Sequence, residues 1–310
     1  MRWIISFLIA VVFNWNLIAQ VRPGMPDFGS TVLFIVDEGG HPCGTGFFVA
    51  AKIPEDTSVY FPVLVTARHV LMKDCETLKD TIYLRANMKG EGIGLIRYPL
   101  KIEGRRTFFT HPTDKQVDIA VIPMVPDTSR YKFTSFSEEM VMTRKTISEE
   151  EIHPGDEVVF CGMFPSFMGM LRNNPIYRFG RISVMPEEKI NLYDNKCKTT
   201  SPSDLYLVEC FAFGGNSGSP LLIHLGFLRR KEIKVGEPLI DRYFIGGVVC
   251  GYFPEYNLLD TLQLRQTSTK TTASTENTGI AYVTPSYKLS EILQGDELLS
   301  WFRQALRKRK

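Results

Sequence analysis

The chain predicts an all-β protein closed by a C-terminal helix. Short runs rich in β-branched and aromatic residues recur along it, each bounded by Gly, Pro, Asn or Asp. Helical periodicity is almost absent before residue 286, and no repeat of a solenoid or propeller stands out. Together these point to an all-β sandwich or a pair of barrels. With 310 residues there is room for one large or two small domains. Lys+Arg 36 against Asp+Glu 34 leaves +2, so bulk charge gives nucleic-acid binding no support.

Residues 1–19 read as a signal peptide. Arg2 supplies the positive start, Trp3 to Phe13 is an almost unbroken apolar run, and Leu17-Ile18-Ala19 precedes the expected cleavage. The run is short for a membrane span, which takes about 20 apolar residues. An uncleaved anchor is the competing reading. The expectation is an exported protein, secreted or periplasmic, without stable membrane insertion after cleavage.

Residues 20–150 form the expected first half. After the Pro/Gly-rich Val21 to Pro26, strand candidates run Thr31 to Val36, Gly44 to Ala50 and Val59 to Ala67. In the third, Pro62 marks a strand edge or the true strand start. Thr81 to Leu84, Gly94 to Tyr98 and Val117 to Pro123 follow, and Asp127 to Glu151 is polar and reads as the link between halves. The second half, 151–310, carries strand candidates at Glu157–Gly162, Tyr177–Val184, Asp204–Cys210, Leu221–Ile223, Tyr243–Cys250 and Gly279–Val283. Thr261 to Thr278 is rich in Thr, Ser, Gln and Asn and reads as a mobile loop. From Ser286, a candidate N-cap, Leu289, Ile292, Leu293, Leu298, Leu299, Phe302 and Leu306 make a helical stripe that Gly295 splits. The basic end, Arg307 to Lys310, reads as a solvated tail.

The chemistry centres on Phe213-Gly214-Gly215-Asn216-Ser217-Gly218-Ser219-Pro220. Glycines on both sides of Ser217 let the backbone expose a hydroxyl and aim N–H groups at one point. The plainer reading is an ordinary Gly/Asn/Ser turn between strands. A serine nucleophile needs a base. His41, His111 and His153 each precede a proline and read as loop residues, and His224 ends an apolar strand as a packed or half-exposed residue. His69 emerges directly from the strand ending Val65-Thr66-Ala67, a rigid support. Asp118 lies between Val117 and Ile119, where a carboxylate is costly unless paired.

The order His69, Asp118, Ser217 is that of chymotrypsin, not of subtilisin or the α/β-hydrolases. Gly44-Thr45-Gly46-Phe47-Phe48-Val49, Thr66-Ala67-Arg68-His69-Val70, Val117-Asp118-Ile119-Ala120-Val121 and the Ser217 turn resemble the motifs of trypsin-like serine peptidases, in the style of HtrA-like protease domains. Gly180-Arg181-Ile182-Ser183 and Gly279 to Pro285 resemble later strands of that family, so the likeness runs from about residue 30 to about residue 295. No PDZ-like domain is expected after it.

The resemblance implies two six-stranded antiparallel β-barrels with the catalytic residues His69, Asp118 and Ser217 in the cleft between them. It implies an oxyanion hole of the Gly215 and Ser217 N–H groups, donors that typically contribute about 2.7–4 kcal/mol each. The activity implied is endopeptidase hydrolysis of a protein or peptide substrate, with neither metal nor organic cofactor. A protease-fold protein that binds without cutting, and an esterase, are the rival classes. Phe211 would lie at the base of the specificity pocket, and no acidic residue stands there to select Lys or Arg. Asn216 replaces the aspartate of digestive zymogens, Ser219 the usual second glycine, and Arg68 a small residue. Of six cysteines, the resemblance implies a Cys43–Cys75 bridge beside the histidine; Cys197–Cys210 and Cys161–Cys250 are guesses for the other four.

Overall fold

Alternating burial runs along the strands of the first half, as in Thr81–Asn87, where every second side chain enters the core. Six strands form one antiparallel path: β1 (Val32–Val36), β2 (Pro42–Ile53), β3 (Asp56–Thr66), β4 (Thr81–Asn87), β5 (Ile93–Pro99) and β6 (Ala120–Pro123), in the order β5-β4-β1-β2-β3-β6. The structure, a computed structural model, describes residues 26–54, 56–194, 197–226, 229, 241–259 and 272–307. The expected signal peptide, 1–19, lies outside them. Among the described residues no helix is long and apolar enough to cross a membrane.

The first sheet is a half-barrel, because its outer strands β5 and β6 do not pair with each other. The gap is spanned by Phe109, which exchanges two backbone hydrogen bonds with Val121, and by the Tyr98 hydroxyl, 3.3 Å from the carbonyls of Thr107 and Pro123. Leu33, Ile35, Phe48, Leu64, Ile82, Leu84 and Leu100 fill the interior. The second half closes fully. There β7 (Glu157–Gly162), β8 (Ile176–Val184), β9 (Tyr206–Glu209), β10 (Pro220–Leu225), β11 (Arg242–Leu259) and β12 (Thr272–Pro285) form a barrel in the order β7-β8-β9-β12-β11-β10. The all-β, chymotrypsin-like architecture expected from the sequence is the one observed.

A third apolar cluster joins the halves. Phe34, Phe47 and Val65 of the first meet Val159, Met163, Leu222 and Val248 of the second, and Leu289, Ile292, Leu298 and Phe302 of the C-terminal helices cover it. Those helices are α2 (Ser286–Leu293) and α3 (Asp296–Arg307), broken at Gly295 as expected; α1 (Arg144–Glu149) lies between the halves in sequence. The Phe302 ring stacks on Phe61 with centroids 4.7 Å apart.

Four expectations need correction. Pro62 sits inside β3, opposite Ala50. Its carbonyl accepts from Met124, just past the end of β6, so the missing N–H costs no sheet bond. The polar link 127–151 contains α1, whose Thr143 cap accepts the Thr146 N–H. Ser286 begins α2 rather than capping it; its hydroxyl donates to the Met142 carbonyl. Thr272 to Thr278 belongs to β12, which pairs with β11 in a long hairpin, while residues 261–271 lie outside the described ones.

The fifth correction concerns the cysteines. Cys75 bonds Cys197, with Cα atoms 5.5 Å apart, and Cys43, Cys161, Cys210 and Cys250 are free thiols. A backbone bridge between Met72 and Leu78 closes a small loop that carries Cys75. Cys197 follows the strand Ile190–Asp194 of a two-stranded ribbon in the second half. Cys161 and Cys210 are occupied by different cores. The bond thus staples the two halves across 122 residues, and closing so long a loop in the unfolded chain is worth about 4–5 kcal/mol in the chain-entropy model. Cys75→Ser is expected to lower the unfolding free energy by about 2–5 kcal/mol in urea titrations. A non-reduced digest should yield the Cys75–Cys197 peptide pair by mass spectrometry; recovery of Cys43–Cys75 would contradict this pairing.

Candidate active site

His69 is presented by a single 3₁₀ turn, Arg68–Leu71, directly after β3. Val70 and Leu71 are buried and pull the turn down, which leaves the imidazole half exposed. Asp118 lies in the extended stretch before β6, and its neighbours Val117 and Ile119 are buried in the core between the halves. Alternation along that stretch turns the carboxylate the other way, toward His69.

The two side chains meet closely. Asp118 Oδ2 is 2.6 Å from His69 Nδ1, and Asp118 Oδ1 accepts the His69 backbone N–H at 2.9 Å. The Arg68 N–H donates to the Asp118 carbonyl, and its guanidinium holds the Lys115 carbonyl at 2.8 Å. The Asp118 side chain keeps 23% of its surface exposed. Burial works to raise its pKa, but the His69 charge and the hydrogen bonds to His69 outweigh it and hold the carboxyl below the ordinary aspartate value.

Ser217 comes from the second half, on the turn between β9 and β10. The Thr45 N–H donates to the Ser217 carbonyl at 2.8 Å, which seats the turn on the start of β2. Gly218, at φ +88, lies so close to the first half that a Cβ there would fall 2.0 Å from the Thr45 carbonyl and 3.0 Å from the Ala67 nitrogen. The serine turn is therefore packed against the residue two before His69. The Ser217 hydroxyl donates to the Cys250 carbonyl at 3.0 Å, and the Cys250 thiol lies 3.9 Å from the Asp118 carbonyl. Cys250 thus touches both Ser217 and the Asp118 backbone.

Hydrogen bonds within the turn decide where its N–H groups point. Asn216 donates to the Phe213 carbonyl, Gly218 to Val249 and Ser219 to Asn216. Among the described residues, the Gly215 and Ser217 N–H groups have no protein acceptor. Buried Asn216 holds the turn shut, its Oδ1 accepting from Phe213 N and its Nδ2 donating to the Met163 carbonyl.

Phe211 stands apart from this group. Its ring lies against Gly279 and is 55% exposed, on the wall of a cavity of about 660 Å³ shared with Phe179, Arg181, Glu209 and Ile280. His69, Asp118 and Ser217 do not line that cavity. His111, read from sequence as a loop residue, is buried and pairs with Glu291 of α2 at 2.6 Å. His224 lies between Glu157 and Asp241. Among the described residues, no group of three or more His, Cys, Asp or Glu side chains is arranged to hold a metal ion.

No protein-family model matches this chain, and no curated protein matches it. Among solved structures it is similar to the inactive form of the Rv3671c protease, at 16% identity and TM-score 0.40 over 86% of this chain and 88% of that one. It is similar to the active form of the Rv3671c protease from M. tuberculosis, at 16% identity and TM-score 0.41 over 86% and 80%. Deg5 is matched at 16% identity and TM-score 0.39 over 76% and 83%. At these values nothing further follows from the likeness.

The lowered Asp118 pKa carries a pH signature. A carboxyl whose folded pKa is depressed adds stability that is complete above the ordinary value, 3.8, and is lost as pH falls through the folded one. Asp118→Asn should therefore be less stable than the parent at neutral pH, with the gap closing in denaturant titrations run below about pH 4. A gap independent of pH would show that the carboxylate charge contributes nothing.

Proposed function

We propose that the chain is an exported serine endopeptidase acting on a protein or peptide substrate through an acyl-enzyme. The observation that carries this reading is the 2.6 Å His69–Asp118 pair, near which the serine turn packs through Gly218 against Ala67; among the described residues the Gly215 and Ser217 N–H groups have no protein acceptor. Asp118 holds Nδ1 and thereby directs the other ring nitrogen to act as base. Ser217 rotates from the Cys250 carbonyl toward that nitrogen, gives up its proton and attacks the scissile carbonyl. The oxyanion that forms is received by the Gly215 and Ser217 N–H groups. His69 then protonates the leaving amine, and water repeats the sequence on the ester. The chemistry proposed uses neither metal nor organic cofactor.

The preference for an apolar or small residue on the acyl side of the cut rests on the sequence alone, which puts no charge at position 211 to meet Lys or Arg; the Phe211 ring itself lines a cavity that His69, Asp118 and Ser217 do not. The second reading is a protease-fold protein that binds without cutting. The bond from the Ser217 hydroxyl to the Cys250 carbonyl favours it, because that bond engages the nucleophile. A serine-directed fluorophosphonate separates the two: covalent labelling that disappears in Ser217→Ala is expected. Peptide turnover should fall by more than about a thousandfold in the same variant, and unchanged turnover would sink the assignment. A peptide panel varied only at the residue before the cut should favour apolar or small side chains, and strong selection of Lys or Arg would contradict the role given to Phe211.

A further inference from the structure

Thr45 is fully buried on β2 in the first half, yet among the described residues its hydroxyl bonds groups of the second alone. It accepts the Met163 N–H at 3.0 Å and donates to the Gly215 carbonyl at 2.7 Å. Since the hydroxyl has one proton and Met163 takes a lone pair, that proton is directed at Gly215. The backbone of the same residue is fixed as well: its N–H donates to the Ser217 carbonyl at 2.8 Å, and its carbonyl accepts the Thr66 hydroxyl at 2.7 Å.

We propose that Thr45 is a positioning residue for the oxyanion site, its hydroxyl fixing the Gly215 peptide from the opposite half of the molecule. The proposal rests on the reading of Gly215 and Ser217 as oxyanion donors. Gly215 sits at φ +92, and a glycine has no side chain to resist rotation of its peptides. Two anchors bracket the peptide that carries its N–H. Thr45 holds the Gly215 carbonyl on one side, and Asn216 Oδ1 holds the Phe213 N–H at 2.8 Å on the other. The Pro165 ring closes the space behind, 2.7 Å from where a Gly215 Cβ would stand. Without the Thr45 hydroxyl, the Gly215–Asn216 peptide keeps only the bond from the Asn216 N–H to the Phe213 carbonyl, and the adjoining Gly215 N–H is held less firmly in the position an oxyanion would occupy. Oxyanion donors act only when held in place beforehand.

The test uses the full chain, Thr45→Val, which keeps the shape without the hydroxyl, and Thr45→Ser, which keeps the hydroxyl. With a fluorophosphonate–rhodamine probe, Thr45→Val should lose about tenfold to a hundredfold in the rate of covalent capture. The reversible affinity for the probe should stay unchanged, and Thr45→Ser should remain within about threefold of the parent rate. Hydrogen exchange at the Met163 amide should accelerate in Thr45→Val and stay slow in Thr45→Ser. An unchanged capture rate in Thr45→Val overturns the proposal, as does a fall in Thr45→Ser as deep as in Thr45→Val. If the parent itself is not labelled, the endopeptidase reading fails. Met163 exchange then still decides whether Thr45 holds the turn, and equal exchange in all three proteins overturns it.

Discussion

Everything about the site depends on one steric constraint, the space that Gly218 leaves empty. The residue after Ser217 lies against the Thr45 carbonyl, the Thr66 hydroxyl and the Ala67 nitrogen, and any Cβ there would overlap the backbone of the first half. Its φ of +88 is also in the region that favours glycine. Because nothing separates the two halves at this point, the serine turn rests on Thr45 of β2 and on the end of β3 from which the His69 turn emerges. A side chain at residue 218 would push the halves apart at their closest approach to His69 and Ser217.

Fastenings farther out keep that contact registered. On one rim, the Arg85 guanidinium of β4 donates to the Met168 and Gly169 carbonyls and to Asn173 Oδ1. Asn173 returns two bonds, to Asn87 Oδ1 and to the Arg85 carbonyl. Elsewhere on the cleft's periphery stands the Cys75–Cys197 bond. Beneath the site, Lys288 of α2 is buried between Asp114 of the first half and Asp204 of the second. Burial works to lower its pKa, but Asp204 first, then the charges of Glu291 and Asp114, raise it and keep it charged. Removing both carboxylates would strand a buried cation, so the pairing specifies how the halves dock more than it adds net stability.

Strand content and the candidate site were legible because both leave local traces. β-branched runs named the strands of both halves, and β7 was placed from Glu157 to Gly162 as observed. Asp118 was singled out because a carboxylate between two apolar residues needs a partner, and His69 is that partner. What was not legible depends on tertiary contacts. The Cys75–Cys197 pairing follows from where two small loops end in space, and spacing along the chain says nothing about that. Pro62 was misread because local rules do not show which neighbour its missing N–H would have faced. Thr45 has no role that local sequence reveals, since its hydroxyl partners are 118 and 170 residues away.

Two residues of nucleophilic type, Ser217 and Cys250, meet at this site through the bond from the Ser217 hydroxyl to the Cys250 carbonyl, and the physics of burial decides between them. A thiol is intrinsically the better nucleophile, but only as its thiolate. Cys250 is 5% exposed, and burial pushes its pKa well above that of a free thiol, with the Asp118 charge adding to the effect. Its sulfur faces Thr284 Oγ1 at 3.0 Å and the Val248 carbonyl at 3.3 Å, so even the neutral thiol is engaged. The same Asp118 charge that depresses thiolate formation at Cys250 would stabilise an imidazolium at His69. One carboxylate thus suppresses the buried sulfur and supports the base that Ser217 would use. In the proposed mechanism the serine, unlike the buried thiol, needs no prior ionisation, because its proton would pass directly to His69.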